Sequence, residues 1–189
     1  MKSIIVFGGS GLIGTQIKKI FLENSYKVIS FDIKQDSDNH PNFVFVKYDL
    51  SSISSVGDLY TLVEDHMKDC CALINCSLLP YPEFNIKTFK KVDLTNACSS
   101  LLALDFFICS LAVNHANKEP INEFLSVILT SSVKAIYAPK FRHYKNISKM
   151  GSSPFYGSMK AASLLLIKHY ASAYRNLNIT FNAIVPGGV

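Results

Sequence analysis

The chain has little charge, few glycines and prolines, and no residue pattern that would hold a metal. Of its 189 residues 17% are charged and 49% hydrophobic, with nine Gly and seven Pro. That composition excludes disordered and collagen-like chains, which are far more polar or far richer in Gly and Pro, and gives no coiled-coil character. The longest apolar stretch, Leu101 to Val113, is broken by Asp105 and falls short of the ~18–20 residues a membrane-crossing helix needs. Neither C-x-x-C nor H-E-x-x-H occurs among Cys70, Cys71, Cys76, Cys98, Cys109 and the five histidines. No metal site or disulfide framework is expected, and the thiols read as reduced core residues. The apolar run between Ser3 and Gly8 is too short for a signal-peptide core, so the expected compartment is the cytoplasm.

Acid is missing from the last third. Residues 124–189 carry eight Lys and Arg without one Asp or Glu, whereas residues 1–123 hold all fourteen acids against eleven bases; the net charge is +5. Five of those bases, Lys134, Lys140, Arg142, Lys145 and Lys149, share one stretch whose positive field suits an anionic small-molecule substrate. No helix-turn-helix, finger or RNA-binding signature accompanies them, so neither nucleic acid nor membrane is an expected partner.

The length suits one domain spanning residues 1–189, in which apolar β-type runs alternate with helical periodicity. Strands are expected at Ile4–Phe7, Lys27–Phe31, Phe43–Tyr48, Cys71–Cys76, Phe124–Leu129 and Ile179–Val185. The first helix follows Leu12, Ile13, Ile17, Ile20 and Phe21, with Lys18, Lys19 and Glu23 on its polar side. Other helices are expected over 51–67, 88–114 and 153–174, and the polar segment Asp32 to Asn42 leaves no room for a full helix. Continuous apolar strands alternating with helices imply an α/β fold: a doubly wound parallel sheet of the Rossmann type, with helices on both faces.

Gly8-Gly9-Ser10-Gly11-Leu12-Ile13-Gly14 lies between the first strand and the first helix. It reads as G-x-G-x-x-G from Gly9 or G-x-x-G-x-x-G from Gly8. Glycines there let the chain turn sharply, admit a pyrophosphate close to the backbone and bring the helix against the sheet, while helix-start N–H groups attract phosphate. Asp32 ends the second strand about 20 residues on, the place of the ribose-binding acid in a dinucleotide fingerprint. A carboxylate there accepts from a ribose diol and repels a 2′-phosphate, favouring NAD over NADP, with Lys34 as a partial offset.

Tyr156 and Lys160, four apart at the start of a helix, share one face. A phenol is an inefficient acid or base at neutral pH unless a neighbouring ammonium favours its anion. The strand Val127 to Leu129 ends in Thr130-Ser131-Ser132 at the sheet edge where open α/β folds hold ligands. Here the chain resembles the short-chain dehydrogenase/reductase family through Gly8 to Gly14, Asp49-Leu50, Asn75-Cys76-Ser77, Ser131-Ser132, Tyr156 to Lys160 and Asn182 to Gly188.

That resemblance implies Tyr156 as general acid/base, Lys160 as its charge partner and ribose ligand, and Ser132, or else Ser131, as orienter of the substrate oxygen. Gly8, Ser10, Gly11, Leu12, Ile13, Gly14, Asp32, Asp49, Leu50, Asn75, Cys76, Ser77, Pro186 and Gly187 are implied to bind cofactor together with Tyr156 and Lys160. It also implies pairing into a homodimer or homotetramer through the helices at 88–114 and 153–174. Asp93 stands where the family has an asparagine that supports a proton relay. The chain stops at Val189, where family members continue into a substrate-covering loop and a seventh strand, so truncation is expected. Tyr137 to Tyr144 and the ending Pro186 to Val189 look like a subgroup associated with flagellin modification and surface sugars, and an anionic sugar held by Arg142 or Lys145 is the expected substrate. Two other readings compete: a catalytically impaired NAD-binding module, and methyl transfer from S-adenosylmethionine, which gives no reason for Ser132, Tyr156 and Lys160 together.

Overall fold

The computed structural model describes residues 1–85, 87–118, 124–138 and 153–187. Six strands form one parallel sheet: β1 (Ser3–Phe7), β2 (Lys27–Asp32), β3 (Phe43–Lys47), β4 (Cys70–Asn75), β5 (Leu125–Thr130) and β6 (Ile179–Ile184), in the order β3-β2-β1-β4-β5-β6. β1 is buried along its whole length and pairs in register with β2, Ser3 opposite Lys27 and Phe7 opposite Phe31. A strand covered on both faces must be apolar at every position, which is why the central strands read as continuous hydrophobic runs rather than alternating ones. One face packs Ile5, Phe7, Ile29, Phe31, Leu73, Val127 and Phe181 against the helices α2 (Val56–Val63), α4 (Leu104–Lys118) and α5 (Pro154–Ala173). The other face packs Ile4, Val6, Val28 and Ile74 against Ile17, Phe21 and Leu22 of α1 (Leu12–Glu23).

Successive strands run outward in one direction from β1 to β3 and in the other from β4 to β6. The connections leaving the carboxyl ends of β1 and β4 therefore diverge, and that divergence opens a crevice where open α/β sheets bind ligands. No helix joins β2 to β3, as the polar segment implied.

Three local expectations need correction. Lys18 is buried rather than on a solvated helix face, because its ammonium pairs with Asp36 at 2.7 Å and Asp38 at 3.2 Å and lies over the Phe43 ring. The acids of the β2–β3 connection thus fold back onto α1, while Leu12 and Ile20 are exposed. The helix expected over 88–114 is α3 (Lys91–Cys98), a π-helical stretch at Ser99–Ala103, and then α4. Lys91–Lys118 is long and apolar enough by composition to cross a membrane, yet half of its most apolar window is buried within the domain, as befits a core helix. The thiols are not all core residues as expected: Cys109 is fully buried, Cys70, Cys71 and Cys76 are half-buried, and Cys98 is exposed.

Candidate active site

The glycine turn is shaped by three different contacts. Gly8 has φ +80°, a conformation that side chains disfavour, and a Cβ on it would lie 2.6 Å from the Ser77 backbone beyond β4. A Cβ on Gly14 would overlap the Gly8 carbonyl and lie 2.6 Å from Gly9 Cα, so this residue seats α1 on the turn. Gly11 is different: its nearest neighbour would be the Gly8 oxygen at an ordinary 3.4 Å, and its φ of −77° suits any residue. The packing of the protein does not require glycine there, and the residue lines the cavity in front of α1. Of the two glycine registers, Gly8-Gly11-Gly14 therefore describes the fold. Gly9 is tight only against the Ser30 side chain.

That cavity, about 630 Å³, is lined by Gly8, Ser10, Gly11, Leu12, Ile13, Asp32, Asp49, Leu50, Cys76 and Ser77, together with Ile33, Lys34, Ser51 and Leu78 to Pro80. α1 begins at Gly11 with no side-chain cap and no acid in its first turn, leaving helix-start amides for an anion. Among the described residues, the Ser10 hydroxyl is buried without a hydrogen-bond partner. Asp32 accepts from the Ser10 N–H at 3.0 Å through one oxygen and from the Lys34 N–H at 2.9 Å through the other. It thus fixes the turn to the end of β2 while keeping lone pairs for a diol. Asp49 is exposed and caps the short turn Leu50–Ser52; hydrogen bonds from the Ser51 hydroxyl and N–H hold its carboxyl below the usual range. An open glycine, uncapped amides and an unpartnered hydroxyl fit the pyrophosphate and ribose of a dinucleotide.

A second cavity, about 120 Å³, shares Ile13, Cys76, Ser77 and Leu78 with the first and continues to Thr130, Ser131, Ser132, Tyr156, Lys160, Pro186 and Gly187. The strand ends of β4, β5 and β6 and the first turns of α5 thereby place Ser132, Tyr156 and Lys160 in the lining of one cavity. α5 starts at Pro154, with the Ser153 hydroxyl accepting from the Phe155 N–H, and this cap sets Tyr156 and Lys160 on the sheet side.

The two serines divide the work. Ser131 donates to the Lys160 carbonyl at 2.8 Å and is spent on holding α5. Ser132 accepts from the Lys134 N–H at 3.2 Å, so its own hydrogen remains available in the cavity. Lys160 is 5% exposed and its ammonium donates to the Thr130 carbonyl at 2.8 Å. Burial pulls its pKa below the ordinary 10.5, with the Asp105 charge opposing that shift.

Two implied cofactor residues line neither cavity. Gly14 lies beneath the turn, and Asn75 points inward: its amide donates to Asp105 at 2.6 Å and its carbonyl oxygen accepts from the Ser77 N–H and hydroxyl. Asn75 shapes the cavity wall rather than forming it. Asp93 lines neither cavity either; it caps α3 by accepting from the Lys90 N–H at 2.8 Å, a role that the resemblance to a relay asparagine did not imply. Arg142, Lys145 and the rest of the basic stretch apart from Lys134 lie outside the described residues.

Sequence reasoning passed over Tyr81, whose ring stacks on Tyr156 with centroids 6.0 Å apart, and Asp105, which is 1% exposed. Tyr81 sits in a Pro-rich loop with no periodicity to flag it. Asp105 did leave a signal, since it is the one acid inside the chain's longest apolar run.

The whole chain is 25% identical to the post-translational flagellin modification protein A of Campylobacter coli and covers 77% of it. Among solved structures, a short chain dehydrogenase from Leptospira borgpetersenii with bound NAD+ is 22% identical with a TM-score of 0.76, over 100% of this chain and 71% of that one. ElxO with NADP bound is 20% identical with a TM-score of 0.76, over 98% and 73% respectively. Residues 2–189 match the short chain dehydrogenase family itself. That match places the chain in the short-chain dehydrogenase/reductase family of NAD(P)-dependent oxidoreductases.

Proposed function

We propose that the protein uses NAD to interconvert a carbonyl and a secondary alcohol on an anionic sugar, with Tyr156, Lys160 and Ser132 as the catalytic residues. The observation that carries this reading is the second cavity, which Ser132, Tyr156 and Lys160 all line and which shares four residues with the cavity along the glycine turn. A bound nicotinamide supplies or accepts the hydride; the chain's residues position the substrate and manage the proton. In the reducing direction the Tyr156 phenol gives its proton to the substrate oxygen as that oxygen becomes an alkoxide, and the Ser132 hydroxyl donates a hydrogen bond to the same atom. The Lys160 ammonium, anchored on the Thr130 carbonyl, favours the resulting phenolate. The reverse reaction runs the same proton back.

Asp32 supports NAD over NADP, because a 2′-phosphate would face a carboxylate already fixed by two backbone N–H groups. The relative named for flagellin modification supports a sugar substrate, as does the basic stretch that follows Ser132. Phe106 on α4 and Leu165 on α5, 44% and 69% exposed, support subunit pairing through these two helices.

The test is NADH-linked turnover with a panel of sugar phosphates and nucleotide sugars. Turnover is expected, with kcat reduced at least ~100-fold by Tyr156→Phe while NADH binding is retained. Stoichiometric NADH binding without hydride transfer to any member of the panel would overturn the enzyme reading in favour of a binding module.

A further inference from the structure

Beneath the two cavities lies a polar network that the reaction as written does not use. Asp105, on α4 just after the π-helical stretch, is enclosed between β4 and α5. One of its oxygens accepts from Asn75 at 2.6 Å, and the other from the Ser163 hydroxyl at 2.5 Å. Ser163 is fully buried one turn beyond Lys160 and also reaches the Met159 carbonyl at 3.2 Å. On the other side Asn75 holds the Ser77 N–H and hydroxyl, and the Ser77 backbone is the surface against which Gly8 is closed. One carboxylate thus joins the wall of the dinucleotide trench to the helix that carries Tyr156 and Lys160.

The charges around it are few. Just beyond β4 is Cys76, whose thiol burial pushes up, so it is uncharged at neutral pH. On α4 is Cys109, pushed up by burial and by Asp105 itself. On α5 are Tyr156 and Lys160. Through Ser163, one turn beyond Lys160 on α5, Asp105 is tied to the helix that holds the buried ammonium; burial raises its carboxyl above the ordinary 3.8 and the Lys160 charge opposes that rise.

We propose that Asp105 is a positioning residue of the active site: its carboxylate clamps the end of β4 to α5 and serves as the fixed counter-charge that keeps Lys160 an ammonium in a dry pocket. This inference rests on the catalytic reading of Tyr156 and Lys160. A buried anion without a task would be costly, since replacing such groups by apolar side chains is often neutral or stabilising. Here its charge opposes the burial that disfavours the Lys160 ammonium, while Asn75 and Ser163 satisfy both of its oxygens.

The experiment follows the Lys160 side chain by 13C NMR in lysine-labelled protein, assigned with Lys160→Arg. Asp105→Asn is expected to lower the Lys160 midpoint by about one pH unit or more, tenfold in proton affinity. Ser163→Ala, which keeps the charge and removes one hydrogen bond, should move it by less than about 0.3 unit. An unchanged midpoint in Asp105→Asn overturns the proposal. If that variant does not fold, aspartate-labelled wild type carries the test: a carboxylate signal for Asp105 at pH 7 supports the proposal and a protonated carboxyl overturns it. With a substrate in hand, Asp105→Asn should also draw the alkaline limb of the kcat/KM profile to lower pH, which a purely structural role would not do. Turnover missing from every variant despite intact charge coupling would count against the oxidoreductase reading alone.

Discussion

Gly11→Ala and Gly14→Ala make a matched pair in which one added methyl group separates ligand binding from folding. At Gly14 the new Cβ would meet the Gly8 carbonyl, Gly9 Cα at 2.6 Å and Gly9 C at 2.9 Å, all backbone atoms of one turn. No flexible side chain can yield, so α1 must shift, and overpacking of this kind costs ~1–3 kcal/mol. For a domain of this size that lowers Tm by about 2–4 °C per kcal/mol. At Gly11 the φ of −77° and ψ of 173° are open to alanine, and the nearest neighbour stands at 3.4 Å. The loss of glycine at a helix N-cap and the reduced freedom of the unfolded chain are each worth roughly 0.5–1 kcal/mol with opposite signs, so Tm should barely move. The methyl group, however, enters the cavity in front of the helix-start amides. NADH affinity, read by fluorescence titration, should fall at least ~10-fold, or 1.4 kcal/mol. Gly14→Ala lowers Tm and Gly11→Ala lowers affinity. Wild-type NADH binding by Gly11→Ala, or a Tm loss matching that of Gly14→Ala, would refute the assignment of this turn to a pyrophosphate.

Three further outcomes follow from the same geometry. Asp32→Ala should weaken NADH binding by ~10–100-fold through loss of hydrogen bonds to a charged acceptor, and should bring NADPH closer to parity; an unchanged NADH to NADPH ratio would contradict the role given to Asp32. Burial raises Asp105 above its ordinary 3.8, so the folded state retains a proton that the unfolded chain has released. The stability tied to this group is full below about pH 4 and declines as pH rises through the folded midpoint. The Tm of wild type relative to Asp105→Asn should therefore fall between pH 4 and pH 7, whereas a flat difference would show that the carboxyl titrates alike in both states. Burial pushes the Cys70 thiol up to about 12 and Cys109 higher still, whereas Cys98 is exposed. Disulfide-exchange labelling of native protein at pH 8 should therefore modify Cys98 first and spare Cys70 and Cys109 until denaturation.

Much of this fold is legible in the sequence because a parallel sheet buries its strands on both faces. Ile4 to Phe7 and Ala72 to Ile74 read as covered strands, and the glycines between Phe7 and Leu12 mark the turn from strand to helix. Tyr156 and Lys160 are legible because helical spacing puts them on one face. What stays hidden are contacts that depend on distant elements. Nothing local tells Lys18 from a solvated lysine, since its partners Asp36 and Asp38 arrive from the next connection. Nothing local separates Ser131 from Ser132; the difference lies in which hydroxyl reaches the Lys160 carbonyl. The family resemblance groups Asn75 with Cys76 and Ser77 as cofactor ligands, yet its side chain turns inward to Asp105 while Cys76 and Ser77 line the cavity. A lone acid inside a greasy helix is a local conflict of the kind that buried networks resolve, and Asp105 resolves it through Asn75 and Ser163.

A crystal structure of the protein grown with NAD+ tests the central claim most directly. The account predicts a pyrophosphate against the backbone of Gly11, Leu12 and Ile13, the adenosine ribose on Asp32, and the nicotinamide ring beside Ser132, Tyr156 and Pro186. A dinucleotide bound elsewhere, or one whose ring lies away from the Tyr156 hydroxyl, would contradict it.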